Sequence, residues 1–336
     1  MSYIIDQVKD LLKSIKETKL KKKQRDNEID KLVKKLEKEV VNFNDYFGEK
    51  KEENTKLKKE KRNLNLKGIV NRKDSTMTIT LCDASENHVG MEQNGIKGVK
   101  DDAFDKKDLE FAKKKFEDEG YICEMIHLNE YCEKEELPEG IEYEDAYILI
   151  VRKGVECLLK KKGSMEDLFN ELIDFDWDTK YFDTRRQKVL NKHARANVCF
   201  SKNAQKPNYE EKKGTIIAYK DVPLTSQIRD SLKDYIGEKG ENLEAEGNLY
   251  YKKDKCGIGY HGDSERVKVV GVRIGAMVLV YQWYFNTKPI GKKCILELDD
   301  SDLYFMSQKA VGNDWKSRSK ITLRHAAGCN YYTKLN

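Results

Sequence analysis

Residues 256–263 read Cys256-Gly-Ile-Gly-Tyr-His261-Gly-Asp263, and one further histidine follows them, in Leu323-Arg-His325-Ala-Ala-Gly328. On a strand the side-chain period of two turns both members of a His-x-Asp pair to one face, and a remote histidine can close a third corner. Two imidazoles and one carboxylate make the ligand set of a non-haem iron(II) oxygenase. They leave three octahedral positions for a bidentate 2-oxo acid and dioxygen. His325 lies beyond several strand-like segments, and a barrel folded from those strands would return it to the pair. His88, His127 and His193 all precede the motif, so His325 is also the choice by elimination.

The chain has 336 residues, enough for two compact domains, and 38% of them are apolar, enough for a core. Charged residues reach 37%, yet Lys and Arg exceed Asp and Glu by only five, so net charge gives no strong case for nucleic acid. Eight cysteines are scattered with no Cys-x-x-Cys pair, which argues against structural zinc and for a reducing compartment. The opening residues lack the continuous apolar core of a signal peptide, and no run approaches the roughly 20 apolar residues of a spanning helix. The expectation is a soluble, cytoplasmic protein with no membrane partner.

Three segments precede or surround the motif. Residues 1–66 carry Ile4, Val8, Leu11, Ile15, Ile29, Leu32, Leu36 and Phe43 at three-four spacing, which predicts a coiled coil and a homo-oligomer joined through it. Its lysine runs, 19–23 and 56–62, read as a solvated helix face. From 74 to 178, strand-like Thr76–Leu81, a helical stretch from Lys107 to Glu119 with Leu109, Ala112 and Phe116 on one face, and the apolar runs 121–128 and 146–151 predict a small α/β module. His88 and His127 within it read as capping or core histidines. Residues 179–336 carry the motif and further strand and turn signals. Arg185, Arg186, Lys188, Lys192 and Arg195 crowd together there, either a wall for an anionic substrate or a solvated loop.

The stretch from Asn248 to Asp263 resembles the core of the AlkB-like iron(II)/2-oxoglutarate dioxygenases, with its Asn, Tyr, turn, Ile and His-x-Asp. Val269-Val-Gly-Val-Arg-Ile-Gly275 resembles that family's next strand, and Asp302-Leu-Tyr-Phe-Met-Ser307 a later one. The resemblance covers roughly residues 185–334, and the arrangement of the whole is similar to proteins encoded by giant DNA viruses. It implies an α+β protein with a double-stranded β-helix, or jelly-roll, catalytic domain, and iron(II) held by His261, Asp263 and His325. It also implies 2-oxoglutarate as co-substrate in contact with Tyr251, with Asn248 one position from the family spacing.

The co-substrate's far carboxylate needs a cation. Arg318 and Arg324 resemble the family's arginine pair, but they precede His325, and period two turns Arg324 away from a metal-facing His325. Arg273 and Lys334 are therefore the expected cofactor-binding cations, Lys334 because the His-Ala-Ala-Gly stretch resembles prolyl-hydroxylase-type relatives. The implied reaction is hydroxylation or oxidative demethylation of a macromolecular substrate. A nucleobase in a nucleic acid comes first, with Tyr181, Phe182 or Tyr260 to stack on it, and a protein side chain second. A catalytically silent scaffold assembled by the coiled coil is the non-enzymatic alternative.

Overall fold

The computed structural model describes residues 6–13, 34, 66, 70–133, 137, 140–141 and 143–335. Residues 1–64 and 65–336 form separate units. In the first, residues 6–13 and 34 are helical, and the rest of the expected coiled coil lies outside the described residues.

The second unit begins with β1 (Thr76–Cys82), β2 (Ala84–Glu86), β3 (Gln93–Gly95), α1 (Lys106–Asp118), β4 (Cys123–His127) and β5 (Tyr147–Val151). It continues through α2 (Gly154–Leu159), α3 (Met165–Ile173), β6 (Lys180–Asp183), β7 (Lys188–Asn191), β8 (Ala196–Ser201), β9 (Ile216–Ala218) and α4 (Pro223–Ile236). It closes with β10 (Glu244–Tyr250), β11 (Gly257–His261), β12 (Val269–Ile274), β13 (Met277–Phe285), β14 (Lys288–Leu298), β15 (Leu303–Met306), α5 (Gln308–Val311), β16 (Thr322–Gly328) and α6 (Asn330–Thr333).

β2–β3 and β6–β7 form separate two-stranded ribbons, and two sheets hold the other twelve strands. The larger has the order β4-β5-β15-β12-β1-β10-β8-β9, and the smaller β11-β16-β13-β14. All pairings are antiparallel except β8 with β9. The result is a mixed α+β fold. Strands from 74–178 and from 179–336 share the larger sheet, with β1 hydrogen-bonded between β10 and β12. The boundary expected near 178 therefore falls inside one sheet, and residues 65–336 form one unit.

The period-two sequence of the central strands explains the layering. In β1, Met77, Ile79 and Leu81 join the core that contains Leu109 and Phe116 of α1, Leu158 of α2, Leu168 of α3 and Ile228 and Leu232 of α4. Thr78 and Thr80 line a cavity on the other side. The same split runs through β10, where Ala245 and Leu249 face the helices and Glu246, Asn248 and Tyr250 the cavity. In β12, Val270, Val272 and Ile274 face the helices, and Val269 and Arg273 the cavity. Each fully buried aliphatic or Phe side chain on the helical side stabilises the fold by about 1.5–3 kcal/mol, so the sheet can carry a polar face on its other side. Gly271 has no Cβ because one would stand 1.9 Å from the Tyr304 ring, which crosses into that face from the neighbouring strand.

Local signals set the helices. Asp105 and Asp108 form a reciprocal capping box at the start of α1, as Ser164 and Asp167 do for α3. Pro223 opens α4 at a position whose N–H has no intrahelical partner. Among the described residues no helix is long and apolar enough to cross a membrane.

Candidate metal centre

His261 and His325 are directly opposite each other on β11 and β16. A register shift between Ile258 and His261 inserts one extra residue into β11, so Ile258 and His261 both reach the cavity although three positions separate them. Asp263 is not on the strand, as the His-x-Asp spacing had predicted. β11 ends at His261, and a turn through Gly262 delivers the carboxylate instead. A Cβ on Gly262 would lie 2.1 Å from the carbonyl oxygen of Gly312, so the turn can pack there only without a side chain. The Asp263 N–H donates to Val311 O (3.0 Å), and Asn313 Nδ2 donates to the carbonyls of Asp263 and Arg266, fixing the turn.

Asp263 Oδ1 stands 3.5 Å from His261 Nε2 and 3.8 Å from His325 Nε2. One ligand atom from each residue lies within 4.8 Å of the others. Bonds of about 2.1 Å at right angles would set donors about 3 Å apart, so the three side chains would draw closer together to hold one ion. His261 Nδ1 donates to Gly259 O at 2.8 Å, which leaves Nε2 with the lone pair a metal needs. Burial holds the pKa of His325 well below its ordinary value, and the charges of His261 and Arg266 add to this, so its ring is a neutral donor. The donors fit a first-row divalent metal with open positions better than a closed structural zinc site.

The triad opens into a cavity of about 510 Å³ between the two sheets. Its polar wall includes Arg273, Thr78 and Asn248, successive cross-strand partners on β12, β1 and β10, and Asn197 of β8 continues the row behind the wall as the partner of Asn248. Arg273 is 1% exposed. Its Nη1 donates to Thr78 Oγ1 at 2.7 Å, its Nε has no hydrogen-bond partner, and among the described residues no carboxylate pairs with it. Asn248 Oδ1 accepts 2.6 Å bonds from Arg195 Nε and Asn197 Nδ2. Glu246 is buried and accepts from Arg266, Asn197 and Asn248. Burial, the largest single influence, would raise its pKa, but the charge and hydrogen bond of Arg266 together with the Arg195 charge and the Asn248 hydrogen bond outweigh it and hold the carboxyl below its ordinary value. Arg266 Nε also lies 3.8 Å from Asp263 Oδ2, on the side away from the histidines.

Of the other residues anticipated, Arg273 lines this cavity and Tyr251 and Lys334 do not. Tyr251 donates to His193 O, while Tyr250, with the same parity as Asn248, faces the cavity. Lys334 lies beside Tyr260, Tyr284 and Tyr331 in a different groove. Arg324 turns away from His325 and stacks on Tyr284, 4.1 Å from the ring centroid, and Arg318 is exposed. The basic cluster divides: Arg185, Arg186 and Lys188 are exposed around the β6–β7 turn, whereas Lys192 bonds to Asn87 and Asn197 and Arg195 enters the cavity.

Sequence reasoning missed Tyr250, Thr78, Tyr304 and His88 as cavity residues. The alternation Thr-Met-Thr-Ile-Thr-Leu marks the Thr78 face, and the spacing Asn248-Leu-Tyr250 marks Tyr250. His88 had been read as a capping or core residue. It stacks on Tyr181 at 3.7 Å, and burial pushes its pKa down to about 4.

Fold and site thus define a mixed α+β protein whose two sheets enclose a His/Asp/His group suited to a metal ion. The chain is 44% identical over 260 residues, 77% of its own length and 98% of the relative's, to "Uncharacterized protein R156" of Acanthamoeba polyphaga mimivirus, and it belongs to that protein's family. No family model matches the chain.

Proposed function

We infer that the protein is an iron(II)- and 2-oxoglutarate-dependent dioxygenase that hydroxylates or oxidatively demethylates a macromolecular substrate, a nucleobase first. The observation that carries this reading is Arg273: a guanidinium buried without a carboxylate partner, facing the same cavity as the His/Asp/His group. A buried, unpaired charge is costly unless a ligand completes it, and an anion is what this one lacks. A dicarboxylate with a 2-oxo group answers both ends of the cavity. The topology supports a double-stranded β-helix, because from β10 to β16 the chain crosses between the two sheets at every connection except the β13–β14 hairpin.

Bound iron with 2-oxoglutarate and dioxygen supplies the oxidising power for a C–H bond and releases succinate and carbon dioxide. The residues of the chain do the rest. His261, Asp263 and His325 would hold the metal, and Arg266 faces the outer oxygen of Asp263 so that Oδ1 stays turned toward the imidazoles. Arg273 and Thr78 hold the far carboxylate. Val269, Leu279 and Met306 give the cavity an apolar wall that limits water. Trp315 and His88 line the cavity with flat faces and Arg195 with a guanidinium, which suits a planar heterocycle. The protein-hydroxylase alternative drew on Lys334 as the co-substrate's cation, and Lys334 lies in another groove.

The test is succinate release with iron(II), ascorbate and 2-oxoglutarate across a panel of single-stranded oligonucleotides and peptides. Turnover on peptides alone would replace the nucleobase with a side chain. No succinate with any substrate, together with no 2-oxoglutarate binding to the metal-loaded protein, would leave the scaffold reading. Oligonucleotide affinity that does not fall with rising salt would also count against the nucleic-acid form.

A further inference from the structure

We propose that Cys256 and Cys329 are a redox-active pair that a peroxide converts to a cross-strand disulfide, tying together the two strands that carry the histidines of the metal centre. Gly257 pairs with Gly328 in the β11–β16 ladder, so Cys256 and Cys329 occupy the next rung. The Cys329 N–H donates to Cys256 O at 3.1 Å, which keeps the two backbones in ladder contact at that rung. The Cys256 N–H turns to Lys252 O (2.8 Å), so a single bond holds this rung. One such cross-strand N–H···O bond still sets the two Cα atoms roughly 5–6 Å apart, inside the roughly 4.4–6.8 Å range of disulfides.

Side-chain surroundings agree with the backbone. Burial is the main cause that raises the Cys256 thiol pKa, and the Cys329 sulfur adds to it, as does Asp254. The pKa of Tyr332 is raised chiefly by burial, with both sulfurs contributing, so one ring senses the two thiols. Cys329 is half-exposed and Cys256 buried, an arrangement in which one thiol meets the oxidant and the other resolves it. The Cys329 thiolate attacks the peroxide O–O bond, giving a sulfenic acid and hydroxide. The Cys256 thiol then displaces the sulfenic oxygen as water, forming S–S, so two thiols are oxidised while one peroxide is reduced to two waters. The inference holds whatever metal or co-substrate the cavity takes.

The experiment is a non-reducing peptide map of the full chain after equimolar hydrogen peroxide and alkylation of remaining thiols. Expected is a loss of 2 Da and one dithiothreitol-sensitive tryptic species joining residues 256–266 to 325–334. In Cys256→Ser, a dimedone adduct should accumulate on Cys329, with circular dichroism matching the parent chain. Joining either cysteine to a different one, or oxidation of other cysteines while these two stay alkylated, would overturn the proposal. A dimedone adduct absent from Cys329 in the folded Cys256→Ser variant would overturn it too.

Discussion

Arg273 on β12 donates its 2.7 Å hydrogen bond to Thr78 on β1, its direct cross-strand partner, although the two residues come from distant parts of the chain. A strand near the start of the second unit therefore supplies the hydroxyl that orients a cation supplied near its end. Replacing Arg273 with Met removes the charge and keeps much of the volume. Affinity of the metal-loaded protein for 2-oxoglutarate should fall by about 100-fold, the scale of a charge-assisted contact. The thermal midpoint of the metal-free protein should stay the same or rise, since a buried unpaired charge disappears. Calorimetric titration and a melting curve measure both, and unchanged 2-oxoglutarate affinity would remove Arg273 from the site.

His261→Ala, Asp263→Ala and His325→Ala should each abolish tight binding of cobalt(II), used as a visible-absorbing stand-in for iron(II). Chelation should destabilise the parent chain in turn, because a metal at 100 times its Kd contributes about 2.7 kcal/mol through linkage. A melting midpoint indifferent to metal in the parent would contradict the assignment of the three donors.

Much of this geometry could be read from the residues, and the unreadable parts have physical causes. Period two in Thr76–Leu81 and in Val269–Ile274 separates helix-facing from cavity-facing residues without any coordinates, and it turns Arg324 away from His325 as expected. Two features defeat it. The extra residue in β11 reverses the parity between Ile258 and His261, and a bulge has no period to betray it. The insertion of β1 between β10 and β12 depends on pairing across long sequence separations, which local patterns do not encode. That second feature is why residues 74–178 read as a separate module. Lys334 was misplaced because a resemblance in the His-Ala-Ala-Gly stretch says nothing about how the chain turns after Gly328.

Gly262 supplies a steric test of the turn that presents Asp263. Ala at this position would put a methyl 2.1 Å from the Gly312 carbonyl oxygen, and backbone cannot yield as a flexible side chain does. Gly262→Ala should destabilise the fold by about 1–3 kcal/mol, as overpacking does, and weaken cobalt(II) binding as the carboxylate shifts. Urea unfolding and metal titration on the same sample report the two effects. A variant with parental metal affinity would show that the turn does not set the donor geometry.

Glu86 lines the cavity, and burial raises its pKa from 4.5 to about 7, against the backbone N–H of Gly90, which acts to lower it. Between pH 4.5 and 7 the folded state then holds a proton that the unfolded chain has lost. Glu86 thus stabilises the fold below that window, and its contribution is lost as pH rises through 7. His88 works in the opposite sense: with its pKa lowered to about 4, the unfolded chain binds the extra proton between pH 4 and 6.5, and stability is lost as pH falls through that range. Glu86→Gln isolates the first effect. Its urea midpoint, relative to the parent's, should be higher at pH 8 than at pH 5, and a difference constant across that range would mean that Glu86 titrates normally.

Tyr250 and Tyr251 are neighbours in sequence on opposite sides of one wall. Tyr250, 4% exposed, faces the cavity with Asn248, and burial pushes its pKa up to about 12, so it is a neutral donor at any working pH. Tyr251 gives its hydroxyl proton to His193 O at 3.0 Å, outside the cavity. Removing the Tyr251 hydroxyl should cost about 0.5–1.5 kcal/mol of stability, the value of one ordinary hydrogen bond, and leave 2-oxoglutarate binding untouched. Tyr250→Phe should do the reverse, weakening the co-substrate or the substrate by several-fold with little change in melting temperature. Titrating 2-oxoglutarate into both metal-loaded variants distinguishes them, and a larger effect from Tyr251→Phe would mean that β10 presents its other face to the metal.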